Sequence, residues 1–297
     1  MTKDRNIVLQ ASIVPKAILS DYLALTKLRL SLTVVFTSLL GFFIASLGTI
    51  SIYDVILLFI GGFLVTASAN TLNQVLEKDH DRLMTRTADR PLAAGRMKVS
   101  DAVLFAGLAC VLGISLLAMF NPLTAVLGML SFMLYAFVYT PLKRYSSLAV
   151  AVGAIPGALP VLIGCTAAEG RLSILAFGLF FIQFFWQFPH FWSIGFLGFD
   201  DYKNAGYKFI PEDDGKVERN IALNGLVYTL AILPILGYLF YLGHLSLIMA
   251  ILSGVLTLGF SWMSYLFHKN FDRKSALAVM FFSFIYMPFL LIPFLIS

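Results

Sequence analysis

Nine apolar stretches of about 18–27 residues divide this chain of 297 residues, and roughly 20 such residues suffice for a helix to cross a bilayer. With ends left fuzzy they run over 30–48, 52–76, 101–120, 122–140, 148–168, 172–198, 221–243, 245–267 and 275–296. The pattern predicts an all-α, polytopic membrane protein of about nine transmembrane helices. Upstream, Ile18, Leu19, Tyr22, Leu23 and Leu25 fall near helical spacing among polar residues, which predicts a helix lying in the membrane interface. The organisation expected is an N-terminal segment over 1–29 and one membrane domain over 30–297. Gly61, Gly62, Gly153, Pro156, Gly157 and Pro160 sit inside spans, where small or kinking residues allow close helix approach or local bending.

Composition agrees and removes the soluble alternative. Only 12% of residues are charged, with 59% hydrophobic, against about 25% charged in soluble domains. The partner that the whole surface implies is the lipid bilayer. A net charge of +5 does not point to nucleic acid, because the charges segregate by side. Twenty of the 21 Lys and Arg residues fall in the N-terminal segment or in the loops after spans two, four, six and eight, leaving only Arg171 opposite. This asymmetry predicts a cytoplasmic N-terminus and an outside C-terminus. Residues 1–29 carry charges throughout and lack an apolar stretch with a cleavage site, so no signal peptide is expected. Cys110 and Cys165 both lie in spans and imply packing rather than a disulfide framework.

Every long loop is on the basic side, and two acidic clusters face that side. One includes Asn73, Glu77, Asp79 and Asp81, the other Asp200 and Asp201, and they follow the second and the sixth spans. Their four-helix separation hints at a parallel four-helix unit used twice, with a ninth helix added. Carboxylates near hydrocarbon are costly and usually serve ions, substrate or protons. Asn73, Glu77 and Asp81, spaced four and four, drift only about 80° around a helix while climbing about 12 Å, so their oxygens line one stripe. Asp79 is about 200° from Glu77 on that helix, which predicts a group behind the ligands or at the surface rather than a ligand in the same stripe. Hard oxygen donors beside cations suit Mg2+ on a phosphorylated substrate, and two carboxylate sets suit ions bridging a diphosphate. Arg82, Arg86, Arg90, Lys143 and Arg144, the last two following Tyr139, are candidate phosphate clamps, with Tyr202 and Lys203 beside the second cluster. His190 lies within the sixth span, between Pro189 and Phe191. Eleven residues separate it from Asp201, which on an unbroken helix is about 20° and about 16 Å. That spacing predicts one shared face.

These segments resemble the UbiA-type intramembrane prenyltransferases. The resemblance rests on Asn73, Glu77, Asp81 and Arg82 followed by Arg86, Arg90 and Pro91, and on Tyr139 to Arg144. Pro189 to Trp192, Asp201 to Pro211, and Asp21 to Arg29 extend it over nearly the whole chain in order. Within the family the match is nearest the haem-farnesylating branch. The resemblance implies a nine-helix bundle around a central cavity in a bacterial plasma (inner) membrane. It also implies farnesyl diphosphate and protoheme IX as substrates and Mg2+ as cofactor. Asn73, Glu77, Asp81 and Asp201 would hold metal, while Arg82, Lys143 and Arg144 would grip diphosphate. The remaining candidates (Arg86, Arg90, Tyr139, Asp200, Tyr202 and Lys203) would contact substrate, and His190 would contact the haem.

Three departures bear on the acceptor. Glu77 stands where the family motif usually has Asp, Leu28 where the haem branch commonly has Pro, and Ser146 to Ala149 is plainer than the usual segment. An aromatic quinone precursor is the alternative acceptor. A secondary transporter is the alternative class, although its charges would lie near mid-span rather than at span ends. The orientation has its own check. An alkaline phosphatase fused to the C-terminus is expected to be active and a green fluorescent protein fused there dark; the reverse would mean a miscounted span.

Overall fold

A computed structural model describes residues 18–46, 48 and 50–296. Among the described residues, nine helical spans are long and apolar enough to cross a membrane. The interfacial helix α1 is Leu19–Thr26. The spans are α2 (Leu28–Ala45), α3 (Ile52–Asp81), α4 (Val99–Ala118), α5 (Pro122–Leu142), α6 (Ala149–Glu169), α7 (Ile174–Leu197), α9 (Asn220–Tyr241), α10 (Leu247–Asn270) and α11 (Arg273–Leu295). Between α7 and α9 lie the short helix α8 (Phe199–Asn204) and a hairpin of β1 (Glu212–Asp213) and β2 (Lys216–Val217). Lys3, Arg5 and Lys16 of the basic N-terminal segment lie outside the described residues.

Helix starts follow capping chemistry. Ser51, Asn121, Ser173, Ser246 and Asp272 each accept a hydrogen bond from a backbone N–H of the first turn, satisfying donors that a helix start leaves free. α1 exposes Ile18, Leu19 and Leu23 while burying Leu25 and Asp21, the two-faced burial expected of an interfacial helix. α3 runs about a turn beyond the apolar stretch, because the polar residues at its end are themselves buried: Asn73, Gln74, Glu77 and Asp81 are at most 3% exposed.

α6 is the central helix, with 72% of its core window buried against 28% for α4. It holds Pro156 and Pro160 without breaking. Pro160 cannot donate to the carbonyl of Pro156 four residues back, and Ser131 Oγ on α5 donates to that carbonyl instead, at 3.3 Å. Close packing explains the small residues of α6. A side chain at Gly164 would strike the backbone of Ser38 and Phe42 on α2, and small residues at such crossings let membrane helices approach. Cys165 Sγ meets the Gly41 carbonyl there at 3.4 Å, which is the packing role expected of this cysteine.

Besides an interruption of α9 at Ala231, two departures from plain α-helix bear on the site. Residues Leu134–Tyr139 of α5 form a π-helical turn, just ahead of Pro141, whose missing N–H already weakens the ladder. The span α7 ends at Leu197, and Gly198, at φ −110° and ψ 19°, turns the chain into the separate helix α8. Glycine is a poor helix former, and the turn breaks the continuity on which the shared face of His190 and Asp201 depended.

Candidate active site

At the end of α3 the stripe forms as the spacing predicted. Asn73 Nδ2 donates to Glu77 Oε2 at 2.8 Å and to Thr140 Oγ1 at 3.0 Å. Glu77 Oε1 pairs with Lys143 Nζ, and Arg90 Nη1 reaches both oxygens of Asp81 at 2.8 Å. Lys143 also stands 4.9 Å from the Tyr139 ring centroid and 5.5 Å from that of Tyr207. A carboxylate removed from water needs such partners, and each has a cation. Arg144 donates to the carbonyl of Leu76, while its Nε is buried without an acceptor among the described residues, an unmet cationic donor beside Glu77.

The second cluster approaches from α8. Asp201 Oδ1 accepts from the Thr85 N–H at 3.3 Å, and Arg86 Nη2 donates to the Tyr202 hydroxyl at 2.9 Å. Arg86 feels the carboxylates of both Asp201 and Asp81. Burial opposes its charge, but Tyr202 and those carboxylates more than offset this and hold its pKa above the usual guanidinium value. The two acidic segments therefore meet across the loop after α3. His80 Nδ1 donates to the Ala205 carbonyl at 2.8 Å, and the Lys208 N–H donates to the Lys143 carbonyl at 2.9 Å, closing the same face.

Three candidates are not brought in. Arg82 is half-exposed and turns to Asp79 at 3.3 Å and the Ala93 carbonyl at 2.7 Å. Lys203 pairs with Glu212 on the hairpin at 3.2 Å, and Asp200 faces outward. Arg82, expected to grip diphosphate, thus braces the loop in this arrangement, while Arg90 is the arginine that stands beside Asp81. His190 is separated from Asp201: it lines a large cavity, whereas Asp201 and Tyr202 line a smaller hollow with Arg86.

Sequence reasoning missed Lys27 as a site residue. It sits at the α1–α2 junction with φ +48°, a left-handed conformation that a non-glycine residue holds at a cost. Its Nζ donates to Asn73 Oδ1 at 2.7 Å. Burial first, then the Arg90 charge, lowers its pKa from 10.5 to about 7. Its only signal was its place between Thr26 and Arg29. Tyr207 was also missed. Burial, with the Glu77 and Asp81 charges, pushes its phenol above the ordinary range, so it keeps its proton.

Beneath the ionic cluster lies the central cavity, about 460 Å³ and within the range of small-molecule sites. Tyr135 and Tyr139 stand at the junction of the two regions, and Gly153 makes room, since a Cβ there would come 2.6 Å from the Tyr139 ring. The wall is mostly apolar and reaches Leu30, Phe36 and Phe284, which are exposed toward lipid; Asn70, Gln183, Gln187 and His190 are polar points in it, with Arg29 and the hydroxyls of Thr33, Thr37, Thr66 and Ser131.

The family model described as the UbiA prenyltransferase family matches residues 34–285. The chain belongs to this family. It is 40% identical over 291 residues to a protoheme IX farnesyltransferase of Flavobacterium psychrophilum, covering 95% of each chain. It is 41% identical over 281 residues to a protein of the same name from Cytophaga hutchinsonii, covering 93% of this chain and 96% of that one. Among solved structures, a digeranylgeranylglyceryl phosphate synthase superposes with a TM-score of 0.80 at 20% identity, over 94% of this chain and 97% of that one. A UbiA homologue from Archaeoglobus fulgidus bound to DMAPP and Mg2+ gives 0.69 at 16% identity, over 91% and 97%. At these identities the two structures speak for the fold of this prenyltransferase family member, which is the nine-span bundle read from the sequence.

The Arg90–Asp81 pair is open to a direct test. Arg90→Ala leaves Asp81 buried and alone. The expected loss is at the low end of the roughly 3–5 kcal/mol typical of a broken buried pair, because Arg90 itself is 26% exposed. A melt in detergent should drop by on the order of 5–10 °C, with Arg90→Lys recovering part of it. An unchanged melt would mean that Asp81 is served by another cation.

Proposed function

We propose that this chain transfers a farnesyl group from farnesyl diphosphate to a vinyl group of protoheme IX, releasing diphosphate, in a bacterial plasma membrane with the ionic face on the cytoplasmic side. The observation that carries the reading is the junction of two regions: a cation-lined polar mouth lies directly against an apolar cavity that holds one imidazole. A prenyl diphosphate has the same two-part character. The identity to relatives named for this reaction, over nearly the full length of both chains, supports the choice of acceptor.

Mg2+ fits the donor set. Asn73, Glu77 and Asp81 offer an amide oxygen and two carboxylates on one stripe, each now held by Lys27, Lys143 or Arg90. Among the described residues no three His, Cys, Asp or Glu side chains converge as a metal cage. That suits Mg2+, which keeps water and takes one or two carboxylates with substrate phosphates rather than a full protein cage. Asp201 would hold metal from the α8 side. When bound, the ion supplies Lewis-acid stabilisation of the leaving diphosphate.

The chain's own residues do the rest. Lys143, Arg144, Arg86 and Arg90 neutralise and orient the diphosphate, Arg144 Nε filling its missing acceptor. Tyr207 and Tyr202 supply hydroxyl groups at the mouth. The cavity wall keeps the allylic chain dry as the C–O bond breaks and the electron pair leaves with diphosphate. The vinyl carbon then bonds to the farnesyl C1, and water adds to the resulting cation and loses a proton, giving a hydroxyethylfarnesyl side chain. His190 contacts the haem in that cavity, an imidazole being a common axial donor to haem iron.

Purified protein in nanodiscs, supplied with farnesyl diphosphate, Mg2+ and either haem b or 4-hydroxybenzoate, tests this by product mass. Haem b should gain a farnesyl group and a hydroxyl, and the benzoate should be left alone. Asp81→Ala and Asp201→Ala should each lower turnover by roughly 100-fold or more while the protein stays folded. Prenylated benzoate with unchanged haem would refute the acceptor, and wild-type rates in Asp81→Ala with saturating Mg2+ would refute the metal assignment.

A further inference from the structure

His190 is clamped by Trp186 and Ser283, with Phe284 edge-on to its ring at 5.0 Å. Its ring lies nearly parallel to that of Trp186, one turn earlier on α7, at 5.0 Å and 17°. The Trp186 indole N–H donates to the Ser283 carbonyl on α11 at 2.9 Å. The Ser283 hydroxyl meets His190 Nδ1 at 2.7 Å. Backbone and side chain of one serine are therefore both captured, and the clamp ties α7 to α11 beside the cavity.

The serine has one hydroxyl hydrogen and two close neighbours. Its Oγ is 2.6 Å from the Met280 carbonyl, which can only accept, so the hydroxyl hydrogen goes there. With that hydrogen used, Oγ faces Nδ1 with lone pairs alone, and the 2.7 Å contact is a hydrogen bond only if Nδ1 is the donor. A neutral imidazole with Nδ1 protonated has its free lone pair on Nε2. Nε2 has no hydrogen-bond partner among the described residues and is not sealed from solvent. His190 lines the central cavity, which is the open space this nitrogen can face.

We infer that Ser283 is a positioning residue that fixes His190 in the Nδ1–H form, so that Nε2 is presented to the cavity as a lone-pair nitrogen. The orienting of a ligand histidine through its other nitrogen is a general device where an imidazole must bind a metal. Here the metal is the iron of the haem substrate. The use of that lone pair rests on the proposed haem acceptor; the protonation pattern does not.

The chain has four histidines, few enough for 15N-histidine solid-state NMR in bilayers. His190, assigned by its loss in His190→Ala, should show only the Nδ1–H form. Ser283→Ala should populate both forms, and Ser283→Thr, which keeps the hydroxyl, should restore one. In parallel, a Soret titration with haem b should show dissociation constants weakened about tenfold in Ser283→Ala, near wild type in Ser283→Thr, and weaker still in His190→Ala. An Nε2–H form in the wild type, or a single unchanged form in Ser283→Ala, overturns the inference. The expected NMR pattern with haem affinity unchanged in all three variants upholds the role of Ser283 and overturns the haem contact instead.

Discussion

Two carboxylates buried at the end of a membrane helix impose the constraint from which the rest follows. Glu77 and Asp81 are each at most 3% exposed, and an ion in such a place must be paired or it will not stay charged. Asn73 on α3 donates to Glu77, but the cations that pair the two acids come from elsewhere. Lys143 comes from beyond α5, Arg90 from the loop after α3, and Lys27, one residue removed through Asn73, from the α1–α2 junction. Satisfying the two acids therefore fixes how these segments converge. The glycine-mediated contact of α2 with α6 and the buried prolines of α6 then shape the space beneath.

The outcome is a molecule with two solvents. Charge is concentrated in one layer, where arginines and lysines outnumber the acids they serve, and the cavity next to it is lined mainly by hydrocarbon, with a few amides and hydroxyls, one imidazole and Arg29 at its edge. In the proposed function, diphosphate with its metal would belong to the first environment and a prenyl chain to the second. On the proposed reading, the cations on Asn73, Glu77 and Asp81 are placeholders: they neutralise the acids and would turn to phosphate oxygens when a metal takes the acids over. This exchange keeps the number of unpaired charges low at every stage.

Much of this was legible in the sequence, for identifiable reasons. Span count and type follow from runs of apolar residues too long for anything else. The Asn73–Glu77–Asp81 stripe follows from helical spacing alone, and the exclusion of Asp79 from it follows from the same arithmetic. What spacing could not convey is where a helix stops being regular. The turn at Gly198 separates His190 from Asp201, and the π turn before Thr140 places its hydroxyl at Asn73. Nor could charge alone choose among neighbouring arginines. Arg82, Arg86 and Arg90 look equivalent as letters, yet the course of the loop sends the first to Asp79, the second to Tyr202 and the third to Asp81. Lys27 reaches Asn73 across 46 residues, a contact that no local pattern encodes.

The central claim is that the acids and their cations form one exchangeable site for metal and diphosphate together. Isothermal titration of the wild-type protein with farnesyl thiodiphosphate, a slowly reacting analogue, in the presence and absence of Mg2+ addresses it most directly. Each ligand should bind far more tightly when the other is present, with the coupling the same in both directions as linkage requires. Analogue binding that is indifferent to Mg2+ would contradict the account.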